Sequence, residues 1–203
     1  MKIICIGRNY VEHAKELNNP LPQEPVYFLK PDSCIINNSK PFFYPEFSQE
    51  IHHEIEIVIK INRLGKNIAS RFAHRYYNEI GMGIDFTARD IQNICKEKGL
   101  PWEKAKAFDG AAPISKFISV MPGQDMQNID FKLDINGTTV QTGNTKNMIF
   151  PINDIISYVS KFMTLKIGDL IFTGTPEGVG PVKIGDHLEG YLAEEKMLDF
   201  YIK

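Results

Sequence analysis

Only three cysteines occur in the 203 residues, Cys5, Cys34 and Cys95, widely spaced and without a Cys-x-x-Cys pair. That pattern supports neither a disulfide framework nor a thiolate zinc site, and it suits a reducing compartment, with the cytoplasm expected. A basic excess is missing too, since 23 Lys and Arg stand against 25 Asp and Glu for a net charge of -2. Phosphate backbones demand a cationic surplus of their binders, so no nucleic-acid partner is expected. Long apolar runs are also absent. Stretches such as Ile167 to Phe172 fall far short of the roughly 20 residues that a membrane helix requires, so no membrane association is expected. The first seven residues carry one Lys and a short apolar run that reads as a strand, too short for a signal peptide.

What is present is 43% hydrophobic and 11% aromatic sequence without repeats or low-complexity tracts, enough for one core and one domain over residues 1–203. After the first strand, Asn9 to Leu17 forms a short helix that Asn18-Asn19-Pro20 stops, with His13 and Glu16 on one face. Gln23 to Tyr44, broken by Pro25, Pro31 and Pro41, suits brief strands and an ordered loop. Ile51 to Ile61 alternates strongly and reads as the clearest strand, with Ile51, Ile55, Ile57, Ile59 and Ile61 on one side and His52, Glu54, Glu56, Val58 and Lys60 on the other. A helix is expected around Ile68 to Tyr77, then a buried strand from Glu79 that ends at Asp85. Thr87-Ala88-Arg89-Asp90 carries a Thr-x-x-Asp helix start, with Ile91, Ile94 and Cys95 inward, Arg89, Gln92 and Lys96 on another face, and Gly99-Leu100-Pro101 as the stop. Asn136-Gly137 between two alternating runs predicts a hairpin. Ile152 to Phe162 is a further amphipathic helix, and strands are expected over 169–173, 187–193 and 197–202. Strands outnumber helices, which argues for a mainly β (α+β) fold, a sandwich or roll carrying short helices.

Glu54 and Glu56 project from one side of their strand, within reach of a single ion, although a solvated edge strand presents the same pattern. Asp85 closes a strand where a helix follows, a frequent place for site residues. Three carboxylates without Cys make a hard oxygen site suited to Mg²⁺ or Mn²⁺. His52 and His53 adjoin the pair, His52 on its face, as ligands or as hydrogen-bonded support. His13 with Glu16 one turn later makes a carboxylate-oriented imidazole able to draw a proton from water, or an ordinary surface pair. Lys106 lies among small and apolar residues, whereas Lys96 and Lys98 read as solvated. Thr173 to Gly180 is glycine-rich but lacks the Gly-Lys-Ser/Thr of a phosphate-binding loop.

Gly7-Arg8-Asn9-Tyr10 with His13, Phe28-Leu29-Lys30-Pro31, His53-Glu54-Ile55-Glu56, Asp85 to Asp90 and Thr173 to Gly180, in this order and spacing, resemble the fumarylacetoacetate hydrolase family over nearly the whole chain. Lys98-Gly99-Leu100-Pro101-Trp102 followed by Lys106 looks most like its small acylpyruvase and oxaloacetate decarboxylase branch. The resemblance implies a mixed β-sandwich roll, a homodimer, and Mg²⁺ or Mn²⁺ held by Glu54, Glu56 and Asp85. It likewise implies His13 and Glu16 as a dyad on a lid helix, Lys106 beside the reacting carbonyl, and Arg89, Gln92, Lys30 and Thr175 as substrate contacts. The separate amino-terminal domain and extra carboxylate ligand of the larger fumarylacetoacetases have no counterpart, which argues against fumarylacetoacetate itself. The implied function is metal-dependent C–C cleavage of small 2-oxo acids, acylpyruvate hydrolysis or oxaloacetate decarboxylation, through a metal-bound pyruvate enolate. Two readings compete with it: an isomerase or decarboxylase acting on a 2-hydroxy-dienoate of aromatic-acid breakdown, and a metal-binding protein without catalysis. Specificity is expected from the loop Pro41 to Phe47 and from the lid.

Overall fold

In the computed structural model, which describes residues 1–17, 20–37, 39–121 and 123–203, the isoleucine-rich β1 (Ile3–Gly7) is enclosed on both faces. The short helix α1 (Val11–Glu16) follows, then β2 (Val26–Lys30), a 3₁₀ turn at Asp32–Cys34 and β3 (Ile35–Ile36). Asn18 and Asn19, part of the expected helix stop, lie outside the described residues. The alternating run from Ile51 is two strands rather than one, β4 (Ile51–His53) and β5 (Ile55–Ile61), which part at Glu54 and join different sheets. The helix expected around 68–77 shrinks to a single turn, α2 (Ser70–Ala73), because β6 (Tyr77–Ile84) claims its end for pairing with β5.

Thr87 does not cap the next helix. It sits in β7 (Thr87–Ala88) and its hydroxyl donates to Glu54 instead, while α3 (Arg89–Lys98) starts after Ala88 and ends at Gly99. The inward face of α3 also departs from the apolar pattern: Arg89, Gln92 and Cys95 are buried and Ile94 is exposed. The helix packs against polar groups, so burial there follows hydrogen bonding rather than hydrophobicity. A single turn, α4 (Glu103–Lys106), then leads into β8 (Ala112–Pro113) and β9 (Ile118–Ser119).

The predicted hairpin is β10 (Asp130–Ile135) with β11 (Thr138–Asn144), turned by Asn136 and Gly137 at φ 53° and 78°, the left-handed pair that a two-residue turn requires. Helix α5 (Ile152–Phe162) coincides with its apolar period. The chain closes with β12 (Leu170–Phe172), β13 (Gly180–Pro181), β14 (His187–Leu192) and β15 (Glu195–Tyr201).

A mixed six-stranded sheet in the order β2-β1-β12-β5-β6-β9 meets an antiparallel one, β11-β10-β14-β15, through β5 and β6. Only the β1–β12 pair of the larger sheet is parallel. A three-stranded sheet, β13-β4-β7, closes one end, and β3 pairs β8. The fold is mainly β with short helices, and its buried apolar residues form one cluster from Ile3 to Ile202. No helix among the described residues is long and apolar enough to cross a membrane.

Candidate active site

The break between β4 and β5 creates the site. It leaves Glu54 between two sheets with Glu56 two residues along β5, and Asp85, just past β6, is tied to it by a backbone bond from Asp85 N to Glu54 O of 2.9 Å. The three side chains are buried, and each offers a carboxylate oxygen within 4.8 Å of the others. Lys106 of α4 donates to Glu54 Oε2 at 2.9 Å and to Asp85 Oδ2 at 2.8 Å. Arg89 donates at 2.6 Å to Glu54 Oε1 and at 2.6 Å to Gln92. Lys30, fully enclosed, brings Nζ to 2.7 Å from Asp85 Oδ1 and also donates to the carbonyls of Phe86 and Ala111. The third ammonium proton of Lys30 thus serves Asp85 Oδ1 in a buried ion pair.

Burial and the neighbouring Asp85 push the Glu56 carboxyl well above its ordinary range, although Gly174 N donates to it at 2.6 Å. Burial acts the same way on Glu54, but Lys106 and Arg89 outweigh it and hold that carboxyl far below. For Lys106, burial favours the neutral amine, and Asp85 with Glu54 overrides it. Three buried carboxylates that can converge, one of them pushed toward protonation by burial and its neighbours, fit a hard divalent cation.

Above the trio, His13 on α1 places Nδ1 at 3.1 Å from Glu16 Oε2, and Glu16 Oε1 accepts from Gly178 N at 3.0 Å. The glycine-rich loop thus fastens the helix that carries the dyad. Gly174 (φ 104°) lets the loop pass Asn9, since a Cβ there would stand 2.7 Å from that residue's own Cβ. Gln141 of β11 pins the loop from below: its amide donates to Thr175 Oγ1 (2.9 Å) and Pro176 O (3.0 Å), while its oxygen accepts from Ile55 N (3.1 Å) and His53 Nδ1 (2.8 Å). Nothing in the local sequence around Gln141 signals this role.

One cavity of about 40 Å³ is lined by His13, Glu54, Glu56, Asp85, Arg89, Gln92, Lys106 and Thr175, all anticipated, with Lys30 and Glu16 bonded just behind. Reasoning from the sequence missed Arg8, Phe28 and Trp102 as walls, and it read Lys96 as merely solvated although Lys96 lines the same cavity. Neither His52, paired with Glu50, nor His53, paired with Gln141, joins the carboxylate trio. Burial lowers the pKa of both imidazoles. The 41–47 loop does not reach the cavity either, because buried Phe42 is drawn into the core beside Ile202. A second acidic group, His187, Glu189 and Asp199 on the β14–β15 hairpin, is already bridged by Lys196.

Such a cluster, on a mixed β roll with a dyad-bearing helix above it, defines a class. The family described as fumarylacetoacetate (FAA) hydrolase C-terminal matches residues 2–198, and the chain belongs to that family. It is 45% identical to the mitochondrial oxaloacetate decarboxylase of Dictyostelium discoideum over 91% of this chain and 85% of that protein. It is 42% identical to the mitochondrial oxaloacetate tautomerase of Bos taurus, over 92% and 85% of the two chains. The crystal structure of fumarylpyruvate hydrolase from Pseudomonas aeruginosa, in complex with Mn²⁺ and pyruvate, superposes with a TM-score of 0.94 at 32% identity, covering 100% of this chain and 89% of that one.

Proposed function

We propose that this protein is a divalent-cation-dependent enzyme of small 2-oxo acids, whose single domain makes and quenches an enolate at carbon 3. Oxaloacetate is the favoured substrate, by decarboxylation or keto–enol exchange, and acylpyruvate hydrolysis is a related capacity. The observation that carries the reading is the charge balance of the buried cluster. With a divalent ion bound and all three carboxyls ionised beside it, their charge cancels that of Lys30, Arg89 and Lys106, and the ion's own two positive charges are left for a dianion. Oxaloacetate is such a dianion. The names of the decarboxylase and tautomerase relatives support the same substrate.

Glu54, Glu56 and Asp85 would hold the ion, Mg²⁺ or Mn²⁺, and when bound it supplies Lewis-acid polarisation of the 2-oxo group. Arg89 and Gln92, which brace each other at 2.6 Å, orient the substrate carboxylate, with Thr175 on the loop opposite. Lys106 brings a permanent cation to the oxygen on which charge develops. Glu16 accepts from His13 Nδ1 and so leaves Nε2 to take a proton, either from carbon 3 of oxaloacetate or from a water directed at an acylpyruvate carbonyl. Loss of carbon dioxide needs no base, and the electron pair it leaves on carbon 3 is quenched by a proton. The three buried, unpaired thiols support a reducing compartment. Exposed Phe43 and Phe47 beside buried Phe42 supply apolar surface of the kind a second copy covers, which supports a homodimer.

The test is NMR of oxaloacetate and acetylpyruvate with Mg²⁺ or Mn²⁺, following pyruvate release and deuterium exchange at carbon 3. Turnover should vanish with EDTA and return with metal, and Glu54→Gln or Asp85→Asn should lose the calorimetric signal of Mg²⁺ while remaining folded. Neither consumption nor exchange with either compound would overturn the proposal. A dienoate rearranged without pyruvate release would favour the isomerase.

A further inference from the structure

The strands of the larger sheet give the molecule two unlike ends. β1 finishes at Gly7, β5 begins at Ile55 and β6 finishes at Ile84, all beside the carboxylate trio, so the starts of β1, β6 and β12 and the finish of β5 share the opposite end. That far end is cationic. Between Glu56 and Glu79 the sequence has five Lys and Arg and no acid, and between Asp154 and Asp169 it has two and no acid, although the net charge of the chain is -2. The fold joins these two stretches: Gly65 and Leu165 exchange backbone bonds of 3.0 and 2.8 Å, Gly168 N donates to Ile61 O at 2.8 Å, and Asn62 N donates to Tyr76 O at 2.9 Å. Lys60 is paired with Glu79, but among the described residues the exposed Arg63, Lys66, Arg71, Arg75 and Lys166 have no ion-pair partner. The acids that bound the second stretch are engaged, buried Asp169 by Lys2 and Asp154 by the Ser70 hydroxyl at 2.6 Å.

Apolar side chains project among these cations. Ile167 stands on the tight turn before β12, beside Gly168 at φ 87°, and is 72% exposed, while Leu64 in the loop after β5 is 63% exposed. Phe72 is flanked at the surface by the guanidiniums of Arg71 and Arg75, 4.8 and 5.0 Å from its ring. A side chain on a projecting turn has no interior to fold into, so only a second body can cover it. We propose that this end is a docking surface for an anionic phospholipid bilayer, its Lys and Arg meeting the headgroups while Leu64, Phe72 and Ile167 enter the interfacial layer. A lipid surface suits the pattern better than an acidic peptide, because the apolar groups stand on separate turns, each beside cations, and each can enter the layer by itself. The lack of a spanning helix bears on crossing a bilayer, and a surface contact needs none. This inference goes beyond the functional reading above and does not depend on it. With the far end seated on lipid, the cavity faces water and soluble substrate.

The experiment is co-sedimentation of the full chain with vesicles of phosphatidylcholine alone or with a third of it replaced by phosphatidylserine. Wild type should bind the anionic vesicles, leave them in high salt and ignore the neutral ones. Arg71→Gln combined with Arg75→Gln should weaken binding roughly thirty-fold, at about five-fold for each cation lost from the surface. Leu64→Ser combined with Ile167→Ser should weaken it about ten-fold and make what remains more sensitive to salt. All four side chains are exposed, so circular dichroism and the urea midpoint of both variants should match wild type. No binding to the anionic vesicles, or equal binding by wild type and the folded variants, would overturn the proposal. So would capture of a polyglutamate peptide with the vesicles ignored, which would point to an acidic polypeptide. A wild-type dimer that falls apart in the Leu64→Ser, Ile167→Ser variant would also overturn it, since this end would then be an interface between copies.

Discussion

Replacing Gln141 with Leu tests whether the loop carrying Thr175 is held from beneath. Gln141 is buried and makes four hydrogen bonds, two of them to backbone groups, Ile55 N and Pro176 O. Leucine fills similar space but satisfies none of the four. A buried polar group stripped of its partner costs about 1–3 kcal/mol, so the two backbone groups alone give roughly 2–6 kcal/mol. Set against the usual total of about 5–15 kcal/mol, that is a large share of the stability. Urea unfolding should therefore show a midpoint well below wild type with an unchanged slope. Thr175→Val removes one of the four bonds and should cost only about 1 kcal/mol. Under conditions where both variants are folded, kcat/KM for oxaloacetate should fall in both, and a double-mutant cycle should show coupling, since Gln141 acts through Thr175. A Gln141→Leu midpoint indistinguishable from wild type, with turnover intact, would refute the reasoning.

Three further outcomes are expected. His13→Ala should lower acylpyruvate hydrolysis and carbon-3 exchange about 10²- to 10⁴-fold, the range of a general base, and decarboxylation much less; equal loss in all three, followed by NMR at saturating Mg²⁺, would remove the proton-transfer role. The thiols should ignore Ellman's reagent at pH 8 in the native protein and all three react in urea, because all are buried and burial pushes Cys34 up to about 11. For Asp90, burial works toward protonation, but donors from Gln49 N, Ser48 and Ile91 N outweigh it and lower its pKa. Its stabilisation is then present above the ordinary carboxyl value of about 3.9 and lost as pH falls through the lower native one. Asp90→Ala should be destabilised in urea at pH 7, with the gap to wild type closing in acid.

Where pattern and burial agree, the sequence determined the outcome by itself. Asn136-Gly137 dictates its turn because only left-handed angles join two twisted strands in two residues, and α5 follows a period that leaves one face apolar. The residues that converge on the cavity were named from the sequence, Glu54, Glu56, Asp85 and the His13–Glu16 pair by type and spacing and Lys106 chiefly through the family resemblance. Tertiary structure alone decided how they meet. An alternating run cannot announce that it breaks at Glu54 to serve two sheets, since each half still alternates. Nor can an amphipathic helix announce that Arg89 and Gln92 turn inward while Ile94 faces water, because the partners that make such burial affordable, Glu54 above all, lie 35 residues away in the chain. Gln141 has no local signature, for its significance rests on contacts that exist only once distant strands have paired.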